Sequence, residues 1–327
     1  MIQISGQDQE LLNKMSDEIS KDELMDNWKA FMAYTPIHSG SVEEEKAVTF
    51  LKNKFEAFGL DPEVRYYDAY LSDPKWARLH VLSPREQEFQ CTPYRQVAST
   101  GPHGIEGEVI YVPPEKIGQV ECRDKIVLAE QKTSGDWMGL QYRLLLKLQE
   151  MGVKGLIVIE QDTFMTTVIH QRADFSVSGN PTPENVHLIP QIPAIVSVCN
   201  KDGQLLKAVA ADRGLRVHIT SIVETGWKRI PLLLAEIKGA KEPDKFLLVN
   251  GHVDTPPFSP GVTDNASGMA AILELARILN HNREALRRSI RFALWTGHEI
   301  GRYAGSTWYN DSYWHDLRYQ CVGFLNI

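Results

Sequence analysis

The apolar run Lys245-Phe246-Leu247-Leu248-Val249-Asn250 constrains this chain most, because a strand without polar alternation has to be covered on both faces. A helix-period segment is predicted over 267–280 and a second apolar strand over 289–295, so buried strands alternate with a helix. That order predicts an α/β layered domain from about residue 232 onward, with a further strand over 320–327. In such sheets, sites gather at the C-terminal ends of strands. Here those ends carry the ionisable residues.

Asn250-Gly251-His252-Val253-Asp254 ends the first apolar strand. A period of two puts His252 and Asp254 on the same side of an extended chain. The Asp254 carboxylate can then accept the spare ring N–H and leave the other imidazole nitrogen for a metal. Taken alone, the pair is equally compatible with a structural His–Asp hydrogen bond in a loop. Gly261-Val262-Thr263-Asp264-Asn265-Ala266-Ser267-Gly268 follows. A carboxylate ahead of a helix is commonly a cap, while the small Ala266 and Gly268 permit close approach of a bound group. The second apolar strand runs into Trp295-Thr296-Gly297-His298-Glu299-Ile300-Gly301, delivering an imidazole and a carboxylate to its end. Three clusters of His, Asp and Glu, each directly after an apolar strand or before a helix, point together to a metal site.

The N-terminal part reads as two helices and two strands. Ser41-Val42-Glu43-Glu44 predicts a capping box, with Ser41 and Glu44 satisfying each other's orphan amides. Ala47, Leu51, Phe55 and Phe58 continue the helical spacing to a stop at Gly59. Another helix is predicted over 21–34, with Leu24, Trp28, Phe31 and Met32 on one face, and strands over 63–71 and 77–82. Between about 94 and 225 the chain changes to short strands over 107–112, 124–129, 154–159 and 192–197. A helix over 140–151 and a loop over 178–183 lie among them, which reads as a separate module.

With 327 residues, 43% hydrophobic and 24% charged, the chain is sized for about two globular domains. A net charge of -7 without a Lys/Arg stripe argues against a nucleic-acid partner. The first twenty residues hold no apolar stretch of signal-peptide length, and the apolar segment 269–279 is broken by Glu274 and Arg277, so neither secretion nor a membrane span is indicated. Cys91, Cys122, Cys199 and Cys321 form no CxxC pair, which suits reduced thiols in a cytoplasmic protein.

The motifs GHVD, GVTDNASG and WTGHEIGRYAGS, in this order and spacing, resemble those of the co-catalytic dizinc exopeptidases. This family includes bacterial leucine aminopeptidase and glutamate carboxypeptidase II. HSGSVEEEKAVTFLKNKFEAFGL resembles the family's opening helix, and RDKIVLAEQ with LQEMGVKGLIVIE resembles an inserted protease-associated domain. The resemblance implies a three-layer αβα zinc-exopeptidase domain with a mixed central sheet, in segments 1–93 and 226–327, plus an inserted α+β protease-associated domain over 94–225. It implies a peptide substrate and two Zn2+ ions, with His252 on the first, Asp264 bridging, Glu299 on the second and Asp254 behind His252. An aminopeptidase is the expected activity. Some relatives, such as the transferrin receptor, keep the fold without the metals and serve as binding proteins.

Two departures stand out. The family places two adjacent glutamates where this chain has His298-Glu299, so His298 takes the position of the general base, and a one-place shift would make it a ligand instead. The family's next aspartate ligand follows a strand like 323–327 and its last histidine comes later. The chain is therefore expected to be C-terminally truncated, with two protein ligands for each ion and an apolar edge over 321–327.

Overall fold

A computed structural model describes residues 6–130, 142–160, 181–189, 191–192, 194–212 and 214–327. Parts of the helix predicted over 140–151, the loop over 178–183 and the strand over 192–197 therefore lie outside the described residues. The chain divides into two units, one formed by residues 1–69 and 227–327, the other by residues 70–226. The boundary at Tyr70 is earlier than the one read near residue 94. Among the described residues no helix is long and apolar enough to cross a membrane.

In chain order, the first unit contributes α1 (Gly6–Asp17), α2 (Lys21–Met32) and α3 (Val42–Ala57), then the start of β1 (Glu63–Ser83). β1 is one continuous strand where the sequence reads as two, because the intervening Asp73-Pro74 is passed in extended backbone that proline's fixed φ allows. The second unit holds β2 (Gln87–Phe89), β3 (Thr92–Pro93), β4 (Ile105–Tyr111), β5 (Ile126–Glu130), α4 (Tyr142–Glu150), β6 (Gly155–Ile159), β7 (Ile195–Val198) and α5 (Asn200–Asp212). β8 (Leu215–Ile237) then leads the chain back to the first unit, which continues through β9 (Glu242–His252), α6 (Gly268–His281), β10 (Arg288–Trp295), α7 (Ala304–Ser312), α8 (Trp314–Tyr319) and β11 (Cys321–Asn326).

In the second unit β4, β5, β6 and β7 are parallel neighbours, and β3 closes the far edge antiparallel to β7. Alternation sends Val127 and Ala129 to one face, with Leu145 and Leu148 of α4, and Ile126 and Leu128 to the other, with Leu206 of α5. Both faces are covered, which is why these strands are apolar throughout.

In the first unit the sheet is mixed. β9 pairs parallel with β10 and β11, while β10 pairs antiparallel with β8. Phe292 and Leu294 point to one face, into a core with Phe31 of α2, Leu51 and Phe55 of α3, and Ile272 and Leu273 of α6. On the opposite face Trp295 packs against Tyr309 of α7, and Arg291 pairs with Asp316 of α8. Helices therefore cover both faces of the sheet, giving three layers.

α3 begins as Ser41 predicts, its Oγ accepting from the Glu44 amide. The reciprocal half of the capping box is not formed. Glu44 Oε2 accepts instead from the Gly40 amide at 2.8 Å, because the Ser41 amide is already bonded to the His38 carbonyl. Gly59 ends the helix in left-handed backbone, φ 86°, which only glycine adopts freely.

Phe292 is fully buried with its ring centroid 5.4 Å from that of Phe55, so Phe292→Ala should cost about 3–5 kcal/mol, read as a lowered urea midpoint. Burial, with the Asp254 charge adding to it, pushes the Glu44 carboxyl well above its usual range. A raised folded value means the proton is held more tightly when folded. The stability it contributes is complete below the unfolded value near 4.3 and is lost as pH climbs above it. Glu44→Gln removes that dependence, so its thermal midpoint should gain on wild type as pH rises from about 4 to 8; a pH-independent difference would refute this.

Candidate metal centre

The parallel register sets His252, the last residue of β9, beside Trp295, the last residue of β10, and the Val253 amide bonds the Trp295 carbonyl at 2.9 Å. Two strand ends thus open at the same level. The loops that leave them carry Asp254 and Asp264 on one side and His298 and Glu299 on the other.

His252 is nearly buried, and its two ring nitrogens have different partners. Nδ1 lies 2.8 Å from the Asp254 carbonyl oxygen, and Nε2 lies 2.9 Å from Asp264 Oδ1. A carbonyl can only accept, so Nδ1 carries the ring proton toward it and Nε2 faces Asp264. The sequence reading gave that bond to the Asp254 carboxylate, which stands 3.7 Å off at its nearest recorded approach. The carboxylate has other work. Fully buried, it accepts the His298 amide at 3.2 Å and the Glu299 amide at 2.8 Å, one on each oxygen.

His298 lies flat against His252, with ring centroids 3.9 Å apart and planes 10° apart, and its Nε2 is 3.8 Å from Glu299 Oε1. Donor atoms of His252, His298 and Glu299 all fall within 4.8 Å of one another, the one such group of three among the described residues. Asp264 joins this cluster through His252, half-exposed on the solvent side. Every residue singled out in the sequence is therefore brought to one place. The group of three includes His298, for which the sequence left both a ligand and a base role open, and does not include Asp264.

Burial would lower the His252 imidazole, but the negative Asp254 and Asp264 carboxylates on either side outweigh it and push it up to about 10. Burial would likewise raise Asp254, yet the His252 and His298 imidazoles and the Glu299 amide hold it below the usual carboxylate range. Asp264 is held low chiefly by its hydrogen bond with His252. The pocket is thus polarised to favour positive charge between these carboxylates. Two borderline imidazole donors with two hard carboxylates fit zinc or a divalent ion of similar demands.

Several supporting residues carry no sequence signal of their own. In the turn Val262–Ser267, Asp264 and Asn265 leave helical geometry around a cis peptide. The Asn265 side-chain amide donates to the His252 carbonyl at 3.2 Å and to the Ile327 carbonyl at 2.9 Å, clipping the ends of β9 and β11 together. Thr255 exchanges hydrogen bonds with Ile37, and Ser39 Oγ accepts from the Gly297 amide at 2.7 Å. Tyr67 donates to the Thr296 carbonyl at 2.8 Å. Only the "DN" step and the "HSGS" string mark these positions, and neither states its partner.

Asp254→Asn offers one acceptor oxygen and one NH2 where two amides need acceptors. It should lower metal affinity about 10–100-fold, read by competition with a chromogenic chelator, and cost about 1–3 kcal/mol of stability. Unchanged metal affinity would show that the carboxylate does not hold the His298-Glu299 turn.

Residues 233–327 match the family model described as Peptidase family M28. Mouse (Mus musculus) carboxypeptidase Q is 26% identical over 289 residues, covering 84% of this chain and 58% of that protein. This chain therefore spans a little over half the length of that curated relative. Among solved structures, a peptidase M28 precursor from Shewanella amazonensis superposes with a TM-score of 0.76 at 18% identity, over 96% of this chain and 72% of the other. BSAP, a zinc aminopeptidase from Bacillus subtilis, gives 0.68 at 17% identity, over 93% and 68%. These two likenesses bear on the fold, which is the same mixed three-layer arrangement. The segment that matches the family model contains His252, Asp254, Asp264, His298 and Glu299.

Proposed function

We propose that this chain carries the metal centre of a zinc-dependent exopeptidase that removes residues from the free amino end of peptides. The observation that carries the proposal is the convergence of His252, His298 and Glu299 donor atoms within 4.8 Å, with Asp264 2.9 Å from His252. The aminopeptidase reading draws on the solved neighbour titled a zinc aminopeptidase. In a two-ion arrangement His252 would hold the first ion, Glu299 the second, and Asp264 would serve both. Zinc in such a site supplies Lewis-acid polarisation of the scissile carbonyl and a water acidic enough to attack near neutral pH.

The chain's own residues do the rest. The Asp254 carbonyl fixes the His252 tautomer so that Nε2 is the donor nitrogen. The Asp254 carboxylate holds the His298 and Glu299 backbone in place through its two amide bonds. His298 takes the position of the proton acceptor, beside the ligands and partly open to solvent. Having no negative charge of its own, it leaves the site one charge less negative than a pair of glutamates would. Residues 94–225 are read as a protease-associated domain on the resemblance of their strand and helix motifs.

The test is metal content and cleavage of aminoacyl chromogenic substrates by the 327-residue chain, dialysed and then titrated with Zn2+. Stoichiometric zinc that is lost in His252→Ala, with cleavage of free but not blocked amino termini, supports the reading. Zinc content and cleavage that are unchanged in His252→Ala would sink it in favour of a non-catalytic binding role. His298→Ala separates two roles. Retained zinc with turnover reduced about 10²–10⁴-fold marks a proton acceptor, lost zinc marks a ligand, and no change excludes both.

A further inference from the structure

His298 is confined by two aromatic rings. Its face lies on His252, and Tyr303 meets it nearly at right angles, with centroids 4.6 Å apart and planes 75° apart. The Tyr303 amide donates to the His298 carbonyl at 3.1 Å, closing the turn that brings the phenol ring back over the imidazole. The Tyr303 carbonyl then accepts from the Ser306 hydroxyl and the Thr307 amide, which anchors it at the start of α7.

The backbone that achieves this is an unfavourable one. Tyr303 has φ 64° and the preceding Arg302 has φ 54°, so two successive side-chain-bearing residues occupy the left-handed region. Glycine would occupy it without cost, and residues held there against their preference concentrate at functional sites. Core burial does not account for the tyrosine, which is 36% exposed. Its ring meets the His298 imidazole.

We propose that Tyr303 is a positioning residue for His298, clamping the imidazole against His252 so that its nitrogen stays beside Glu299. An imidazole rotates about its last bond through a broad, roughly two-fold range. Packed on one face by His252 and met on edge by Tyr303, the ring keeps one orientation, whichever role it takes at the metal. The structural part of this inference stands on ring geometry, and its functional consequence rests on the metallopeptidase reading.

The experiment compares Tyr303→Phe, Tyr303→Ala and Tyr303→Gly in the full chain by three measurements. These are the His298 ring proton resonances by NMR in metal-free protein, zinc affinity by chelator competition, and thermal midpoint. Phe keeps the ring, so its resonances should match wild type and its affinity stay within about twofold. Ala and Gly should shift the His298 resonances and weaken zinc binding about tenfold or more, the size seen when a ligand loses its orienting partner. Gly relieves the left-handed backbone, so it should do this while keeping the thermal midpoint, a combination that a purely structural tyrosine would not give. Wild-type resonances and affinity in Ala and Gly would overturn the proposal, as would a Phe variant impaired as badly as Ala. If His252→Ala leaves zinc affinity unchanged, the metallopeptidase reading fails, while the metal-free resonances still decide whether Tyr303 holds the ring.

Discussion

The Asp254 carboxylate is the point on which the rest of the site depends. It is fully buried, and its cost in desolvation is offset by two charge-assisted bonds from successive amides of the neighbouring loop. Those bonds join the loop after β9 to the loop after β10. They add to the Ser39–Gly297 bond and the His252–His298 stacking in fixing where His298 and Glu299 sit relative to His252. The carbonyl of the same residue orients His252, so a single residue sets the donor nitrogen on one strand end and the backbone of the donors on the other.

Around that residue the site is secured by groups that never face a metal. Asn265 ties β9 to β11, Ser39 holds Gly297, and Thr255 is bonded to Ile37. Each takes up a backbone group that strand pairing leaves unmatched at an open sheet end. The loops can therefore leave regular structure without orphaning buried amides. This matters for metal binding because ligand geometry must be held by the protein before an ion arrives. The left-handed Arg302 and Tyr303 fit the same pattern, in which local conformational cost is met by interactions elsewhere.

The chain's acidic site residues and its two stacked imidazoles balance each other. Carboxylates on either side of His252 favour a cation at that position, and the imidazole of His298 adds a donor without adding negative charge. The grouped donors are thus two imidazoles and one carboxylate.

Sequence by itself determined what periodicity and strand-end placement can carry. The apolar runs 245–250 and 289–295 specified buried strands, and α2, α3 and α6 followed from their spacing and caps. His252, Asp264, His298 and Glu299 were legible as site residues because each follows an apolar strand or precedes a helix. The long β8, the uninterrupted β1 and the helices α1, α5, α7 and α8 were not. Their local patterns are weak or interrupted, and it is tertiary pairing that extends or covers them. Only the folded chain decided that the Asp254 carboxylate would bond two amides rather than an imidazole, that Glu44 would reach Gly40, and that His298 would stack on His252. Those are contacts between residues distant in the chain or across a turn, and their partners are chosen by which strand ends lie side by side. Spacing along a sequence carries no record of that choice.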